Sequence, residues 1–379
     1  MTFRFIATAD NHFHHGPRFA ECVRIHAWIA DAVARLKPDA VLLGGDLYEA
    51  PSVPDERTAA AEFHDVVADV CPIVEVQGNH GAHRDLRILR RRHRKHPIIV
   101  EEAAGVHHVG GAAIAAVAWP ARASIAAMAG APLSADATNA VAQEHVRNVL
   151  RGLGAQLAQH QGPRVLLGHF MVDGSVTTAA QPIVGAELNI GLADLGLAGA
   201  HFTAIGHIHL AQHWQHNGRV IAYSGSPLRH TYGEPEAKSI LHVCIEDDGT
   251  VTWERIPTPA RPMHLLEGTY RDGRLDVAVP APHEVRDADI RIRYRVSEAE
   301  RAAGSLAARE ARARLEAAGA ADVVLEPVVE LAMTVRAPEV VAAPTVERQL
   351  EARWARQGVP AEAQARMAAL YSEIAETTR

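Results

Sequence analysis

Cysteine is scarce in this chain, and long apolar runs are missing. Three cysteines, Cys22, Cys71 and Cys244, occur in 379 residues. They form neither a C-x-x-C pair nor an even disulfide framework, which favours a reducing compartment. The apolar stretch at residues 112–119 is too short to cross a membrane, and the apolar strand that begins at Met1 leaves no room for a cleavable signal. We therefore expect a cytoplasmic protein without membrane association.

A strongly basic balance is also missing. The net charge of -7 argues against a general nucleic-acid coat, although local fields rather than the total decide DNA binding. Residues 83–96 concentrate arginines and could hold phosphates beside an active site. The same segment also fits an amphipathic helix with two leucines inward and a solvated basic face. Both interpretations stay open, and the candidate DNA-binding residues are Arg90, Arg91 and Arg92.

Side chains that bind divalent metals end five short apolar runs. The runs are FRFIATAD, DAVLLGGD, PIVEVQGNH, RVLLGH and HFTAIGHIH. They are rich in Val, Ile and Leu without clear alternation, as expected of strands buried on both faces. A helical pattern bracketed by Pro17 and Pro38 lies between the first two runs. Alternating strands and helices predict a parallel or mixed sheet that binds ligands at its carboxyl edge. We expect the strand ends to converge on one rim, which carries Asp10, His12, Asp46, Asn79, His169, His207 and His209.

The residue types in these runs suit a two-metal centre. Two divalent cations about 3.5 to 4 Å apart need a bridging carboxylate, and Asp46 follows two glycines that let the backbone turn tightly. Imidazole with carboxylate suits Mn, Fe or Zn better than Ca or a purely oxygen-bound Mg. Any one histidine alone would more often be structural, but the ordered set favours a metal centre. The expected cofactor is two divalent ions, with Mn²⁺ preferred.

The five blocks DNH, GGD, GNH, GH and GHIH resemble, in this order, the pattern of the calcineurin-like metallophosphoesterases. The resemblance implies an α/β sandwich of mixed sheets flanked by helices. It assigns one metal to Asp10, His12, Asp46 and His209. It assigns the second metal to Asp46, Asn79, His169 and His207. His80 is implied as the catalytic histidine that faces the substrate phosphate.

Further segments resemble the SbcD-type nucleases. GDLY at 45–48 and the order GHIHLAQ, GSP and Lys238 carry this likeness. The resemblance implies a hydrolase of phosphodiester bonds, the nuclease subunit of an SbcC/SbcD-type DNA repair complex. It would act on DNA ends as a 3′–5′ exonuclease and as an endonuclease. A homodimer is implied as well.

The pattern changes after a proline-rich stretch at 257–262. Strand-like and helical segments follow, and the likeness implies a nuclease domain at 1–258 and a small α+β capping domain at 259–336. Residues 337–379 read as a tether and a helical hairpin with an apolar stripe. Such a hairpin most often packs on its own domain, but the family likeness implies that it binds the SbcC-type ATPase.

Three departures from the family pattern leave alternatives open. Gly81 follows GNH where a carboxylate is usual, and Glu49 stands where some relatives have a histidine. His14 and His15 are extra, and they either approach the metals or the DNA or simply lie in the loop. His230 has no motif support and reads as an ordinary surface or supporting residue. The rival functions are a small-molecule phosphodiesterase, for example on cyclic nucleotides, and a catalytically weak DNA-binding subunit.

Overall fold

In the computed structural model, the described residues are 2–120, 125, 135–178, 188–330, 337, 340 and 342–377. Parts of the predicted capping segment and tether, residues 331–336, 338–339 and 341, lie outside them. The chain forms two compact units. The first unit comprises Met1–Glu267, Ala278–Ile292 and Glu310–Glu326, and the second comprises Gly268–Val277, Arg293–Arg309 and Pro327–Arg379. The predicted domain boundaries at 258 and 336 stay predictions.

The first sheet is mixed and has six strands. They are β1 (Phe3–Thr8), β2 (Ala40–Leu43), β3 (Ile73–Val76), β4 (Ile98–Glu101), β13 (Ser239–Ile245) and β14 (Val251–Pro257). Their order is β14-β13-β1-β2-β3-β4. Strands β1 to β4 pair in parallel, whereas β13 runs antiparallel to both β1 and β14. Three of the predicted ligand-bearing runs therefore end at one edge of this sheet.

The second sheet is also mixed and has six strands. They are β5 (Ala104–Val109), β6 (Ala112–Val117), β7 (Arg164–His169), β10 (Phe202–Gly206), β11 (Gln212–His216) and β12 (Arg219–Tyr223). Their order is β11-β12-β10-β7-β6-β5. The four central strands are parallel, and the two edge strands are antiparallel to their neighbours. The other two ligand-bearing runs end here.

Helices cover the outer faces of both sheets. On the first sheet these are α1 (Phe19–Leu36), α2 (Pro54–Ala68) and α3 (His83–Leu89), and on the second sheet α4 (Ala135–Leu157) and α5 (Leu192–Gly196). A third apolar cluster, which includes Phe5, Val74, Leu167 and Phe202, fills the space between the two sheets. The predicted α/β class, with mixed sheets flanked by helices, is confirmed. The strands lack alternation because each sheet is buried on both faces.

Helix α1 illustrates how the sequence specifies these layers. Ile25, Ile29 and Val33 lie one turn apart and are fully buried against the first sheet. Each such side chain contributes about 1.5–3 kcal/mol by leaving water. The helix ends at Lys37, which has a left-handed backbone with φ of 47°, and Pro38 then prevents its continuation. The predicted helix is confirmed.

The remaining elements are smaller. Strands β8 (Met171–Val172) and β9 (Asn189–Ile190) form a short parallel pair. A four-stranded sheet in the order β16-β15-β17-β18 contains β15 (Met263–Arg271), β16 (Arg274–Val277), β17 (Asp289–Ser297) and β18 (Asp322–Glu330). The other helices are α6 (Pro282–Val285), a 3₁₀ turn (Glu298–Glu300), α7 (Arg301–Ala317), α8 (Val346–Arg356) and α9 (Ala361–Thr377). Among the described residues, no helix is both long and apolar enough to cross a membrane.

Candidate metal centre

The predicted ligands meet where the carboxyl edges of the two sheets face each other. Asp10 follows β1, Asp46 follows β2 and Asn79 follows β3, while His169 ends β7 and His207 follows β10. The sequence predicted a single rim, but the ligands come from two sheets. The physical reason is that the apolar faces of the sheets pack on each other, which brings their carboxyl ends together.

Close backbone approach makes this meeting possible. Gly44 and Gly206 face each other across the two sheets, and a Cβ atom on Gly206 would overlap the Gly44 carbonyl oxygen. A Cβ atom on Gly78 would overlap Asp46 Oδ1. Any side chain at either position would force the ligand loops apart, since such contacts cannot relax around backbone atoms. The glycines of the GGD, GNH and GHIH blocks thus have a packing role.

Four of the predicted ligands have unusual backbone conformations. The φ angles are 54° for Asp10, 44° for His12, 53° for Asp46 and 107° for His207. Non-glycine residues seldom adopt positive φ, and each costs on the order of 1–3 kcal/mol. Such strain is typical of sites that are held rigid for a function. It marks this edge of the fold independently of the motifs.

The first cluster contains Asp10, His12 and His209, whose ligand atoms lie within 4.8 Å of one another. His12 Nε2 is 3.2 Å from His209 Nε2 and 4.0 Å from Asp46 Oδ2. The other ring nitrogen of each imidazole lies near a carboxylate. Glu49 Oε2 is 2.7 Å from His12 Nδ1, and Glu234 Oε1 is 3.7 Å from His209 Nδ1. This arrangement turns both Nε2 atoms toward a common point.

The second cluster contains Asp46, His169 and His207, all buried. His169 Nε2 is 3.2 Å from Asp46 Oδ2 and 2.9 Å from Asn79 Oδ1. His207 Nδ1 is 3.1 Å from the same Asn79 oxygen. Asn79 therefore joins this cluster, as the family likeness implied. Asp46 reaches toward both clusters and stands where a bridging carboxylate would be needed.

The hydrogen bonds of His169 show that the second cluster suits a cation. His169 Nδ1 lies 2.7 Å from the Gly44 carbonyl oxygen, which can only accept, so Nδ1 carries the proton. In the neutral ring Nε2 is then a lone pair, and it faces the oxygens of Asp46 and Asn79. Three electron-rich atoms therefore converge and require a positive charge between them. A carbonyl that fixes the tautomer of a histidine in this way is typical of metal sites.

The electrostatics of the second cluster agree with this test. Burial disfavours the charged forms of both Asp46 and His169, but the attraction and contact between them, together with nearby charges, outweigh this effect. Burial alone would raise the pKa of Asp46, yet contact with His169 and the nearby His12 lower this pKa well below its usual range. Burial alone would lower the pKa of His169, but Asp46 raises it to about 9. The proton on His169 thus supplies the positive charge that a bound cation would supply between these side chains. The residues fit two divalent ions and can bind metal.

His80, the implied catalytic residue, lies at the edge of the first cluster. Its backbone N–H donates to Asp46 Oδ1 at 2.8 Å, which ties it to the bridging residue. Its Nδ1 donates to the Glu49 carbonyl oxygen at 3.0 Å, because that oxygen can only accept. The ring of His80 meets the ring of His12 edge to face at 5.0 Å. Nε2 is therefore the ring atom left for a substrate.

A group of residues behind His209 was largely missed in the sequence. Glu234 and Lys238 form a buried ion pair with atoms 2.5 Å apart, and contacts with His209 and Lys238 lower the pKa of Glu234 despite the opposing effect of burial. The ring of His230 packs against both His12 and His209, with centroid distances of 4.7 and 4.9 Å. Burial lowers the pKa of His230 well below its usual value. The G-S-P segment at 225–227, the GSP loop, carried the available signal, since His230, Glu234 and Lys238 follow within the next eleven residues.

The other predicted residues lie away from the clusters. His14 and His15 are exposed and lie near two acidic residues at the start of α2, 3.8 and 3.3 Å away. His14 also lines the cleft beside the first cluster, so both interpretations of these histidines stay open. Arg92 donates to Asp65 at 2.6 Å, so its charge is already paired. Arg90 and Arg91 are exposed. Their DNA-binding role stays a prediction.

A cleft of about 740 Å³ adjoins the first cluster within the first unit. His12 and His230 line it on the metal side. Arg291 and Tyr232 line it further out, with the guanidinium carbon 4.4 Å from the ring centre. Part of its wall comes from residues 261–324, inside the segment predicted to cap the active site. The volume lies in the range of sites that enclose small organic ligands.

Neither a protein-family model nor a curated protein matches the chain. Among solved structures, the chain is similar to TT1561 of Thermus thermophilus, with 14% identity, a TM-score of 0.41 and coverage of 67% of this chain and 99% of that one. It is similar to phosphopantetheinyl hydrolase (PptH) from Mycobacterium tuberculosis, with 17% identity, a TM-score of 0.34 and coverage of 59% and 89%. GAP50 of Plasmodium gives 10% identity, a TM-score of 0.38 and coverage of 68% and 89%.

Proposed function

We propose that the protein is a metal-dependent DNA phosphodiesterase, the SbcD-type nuclease subunit of a DNA repair complex. The observation that carries the proposal is the position of Asp46. Its Oδ2 lies 3.2 Å from His169 Nε2 in one cluster and 4.0 Å from His12 Nε2 in the other. One carboxylate shared by two His and Asp clusters is the arrangement that two-metal phosphoester hydrolysis requires.

The chain's own residues have separable roles in this reaction. When bound, two divalent cations, Mn²⁺ in our proposal, supply charge neutralisation at the phosphate and a water that ionises near neutral pH. Asp46 holds both clusters in register. His80 donates through Nδ1 to the Glu49 carbonyl oxygen, so the ring is held in place and Nε2 is the atom available to a phosphate or leaving oxygen. A positioned imidazole at this place can hold or move a proton as charge develops in the transition state.

The cleft supports a substrate larger than an isolated phosphate. Tyr232 offers an aromatic surface, and Arg291 lies over its ring. Aromatic and guanidinium planes are the groups on which unpaired bases stack. The cleft, at about 740 Å³, has a volume in the range of sites that take a group of nucleotide size. This favours a nucleic-acid end over a simple phosphomonoester.

The test compares substrates and variants in Mn²⁺. Wild-type protein, Asp46→Asn and the control Asp31→Asn, an exposed aspartate on α1, are incubated with end-labelled duplex DNA and separately with a cyclic nucleotide. We expect DNA cleavage by wild type and the control, and loss of at least a hundredfold in Asp46→Asn. Cleavage of the cyclic nucleotide but not of DNA would establish the small-molecule alternative. DNA binding without turnover would establish the non-catalytic alternative.

We also propose that the chain dimerises and that its C-terminal hairpin binds an SbcC-type ATPase. Leu370 and Ile374 are exposed one turn apart on α9, and Val346 is exposed at the start of α8. Exposed apolar side chains on a helix face are a common mark of a protein interface. Deletion of residues 346–379 should abolish co-purification with the ATPase while metal-dependent cleavage persists. Continued co-purification would contradict the assignment.

A further inference from the structure

The loop that carries Glu49 is fastened to the loop that carries His12. The His12 N–H donates to the Asp46 carbonyl oxygen at 3.0 Å, and the Phe13 N–H donates to the Leu47 carbonyl oxygen at 2.7 Å. The Glu49 N–H then reaches back to the Phe13 carbonyl oxygen at 3.5 Å. The two loops thus run as a short ladder beyond β1 and β2. Glu49 therefore has a fixed backbone position beside the first cluster.

Glu49 contacts two histidines with different roles. Its Oε2 is 2.7 Å from His12 Nδ1, on the side of the ring opposite the cluster. Its backbone oxygen accepts from His80 Nδ1 at 3.0 Å, and its Oε1 lies 3.8 Å from the same nitrogen. The carboxylate thus lies between a candidate ligand and the candidate catalytic residue. Its side chain is 45% exposed.

The sequence gives His80 no neighbouring carboxylate of its own. The next residue is Gly81, with φ of 74°, and it can offer no side-chain acceptor. A carboxylate behind the outer nitrogen of a ligand histidine orients the ring and strengthens it as a donor to metal. The Glu49 carboxylate lies in this place for His12, with Oε2 2.7 Å from Nδ1. His80 instead donates to the Glu49 backbone oxygen, and the carboxylate lies 3.8 Å from the same nitrogen.

We propose that Glu49 is a positioning residue that holds His12 and His80 together, and that it supplies from the preceding loop the carboxylate that position 81 lacks. The inference rests on the proposed function, since it assigns a task within the same site. Removal of the carboxylate should weaken metal binding through His12. It should also slow turnover, because His80 would lose a charged neighbour on its Nδ1 side.

The size of the effect follows from the exposure of Glu49. Partners of ligand histidines are typically worth about 10- to 100-fold in metal affinity or activity. Solvent screens a half-exposed carboxylate, so we expect the lower end, roughly tenfold. KM should not rise, since a negative charge near the substrate phosphate is removed.

The experiment measures metal affinity and turnover separately. Glu49→Gln keeps the size of the side chain and removes its charge, and Glu62→Gln, on the exposed face of α2, is the matched control. Mn²⁺ binding is measured by isothermal titration calorimetry. Hydrolysis of bis(4-nitrophenyl) phosphate is measured at saturating Mn²⁺. We expect Glu49→Gln to show about tenfold weaker binding and about tenfold lower kcat, with no rise in KM.

A rescue variant separates positioning from general damage. An added Cβ atom at Gly81 would meet Tyr48 Cβ at 3.4 Å, so a small side chain fits, and aspartate tolerates positive φ better than most residues. Glu49→Gln with Gly81→Asp should regain part of the lost kcat. Unchanged Mn²⁺ affinity and kcat in Glu49→Gln would overturn the inference. A wild-type protein that binds Mn²⁺ but hydrolyses no phosphodiester would overturn the proposed function, and the calorimetry would still decide the role of Glu49.

Discussion

Replacement of Lys238 by methionine should destabilise the protein strongly, although this lysine is not among the residues that line the cleft. The side chains of Lys238 and Glu234 are each 1% exposed, and their charged atoms lie 2.5 Å apart. Methionine fills a similar volume but leaves the Glu234 carboxylate without its cation. A second acceptor, Glu236, is 2.6 Å from Lys238 Nζ but is 21% exposed and therefore matters less.

The magnitude follows from the remaining partners of Glu234. Breaking a buried ion pair by removing one member costs about 3–5 kcal/mol. Glu234 Oε1 keeps the backbone N–H groups of His230 and Thr231 and the Thr231 hydroxyl, at 3.2 to 3.3 Å, and it keeps His209 Nδ1 at 3.7 Å. These donors soften the loss, so we expect about 3 kcal/mol. With roughly 2–4 °C per kcal/mol in a domain of this size, Tm should fall by about 6–12 °C.

Urea denaturation followed by near-UV circular dichroism measures this change. Lys95→Met, at an exposed position, is the matched control and should stay within about 0.5 kcal/mol of wild type. The double variant Glu234→Gln with Lys238→Met removes the unpaired charge and should lose only about 1 kcal/mol. A single variant within 1 kcal/mol of wild type, or a double variant less stable than the single one, would refute the reasoning.

Three further results are expected. Burial lowers the pKa of His26 to about 4 from its usual 6.5, so the unfolded chain takes up a proton first as the pH falls. The contribution of His26 to the free energy of unfolding should be full above about pH 6.5 and fall by about 3 kcal/mol toward pH 4. Urea titrations should show the free energy of unfolding of wild type falling by this amount relative to His26→Leu, and an unchanged difference would contradict the assignment. Mn²⁺ at a hundred times its Kd should stabilise the protein by about 2.7 kcal/mol, an increase in Tm that should vanish in Asp46→Asn or with a chelator, and its persistence in that variant would place the ions elsewhere. Replacing Arg90 and Arg91 by alanine should reduce the salt slope of DNA binding by about one unit per lost phosphate contact, whereas an unchanged slope would assign the segment to a solvated helix face.

Much of the fold was predictable because the ligand runs are also strands. A buried strand needs a continuous apolar run, and the polar residue that ends the run must lie outside the core. The same stretch of sequence therefore predicts both the strand and the candidate ligand at its end. The convergence of Asn79 and His169 was not predictable in detail. They lie 90 positions apart and on different sheets, and the 2.9 Å contact between them depends on how two apolar faces pack. A one-dimensional pattern fixes the faces but not their relative placement.

The residues that support the ligands were hardest to predict. Glu234 and Glu49 approach His209 and His12 from loops, where hydrophobic periodicity carries no information. Glu234 is buried and paired with Lys238, whereas acidic residues are normally exposed. Burial of a charge can be seen only once the surrounding chain is in place. The sequence around the GSP loop therefore indicated a family likeness, but it did not predict the contacts of Glu234 with His209 and Lys238.

Backbone strain gives an argument for function that uses neither motif nor likeness. His207 has φ of 107°, outside the region that ordinary side chains adopt, and Asp10 and Asp46 are left-handed. The N–H of His207 donates to Asp10 Oδ1 at 2.9 Å, which offsets part of a cost of about 1–3 kcal/mol for each strained residue. Glycine would relieve the strain at any of these positions but would remove the ligand. Other left-handed residues in the described part of the chain, such as the helix cap Lys37, lie outside the clusters, whereas these three residues bear the candidate ligands of both clusters. This coincidence supports the proposed metal centre.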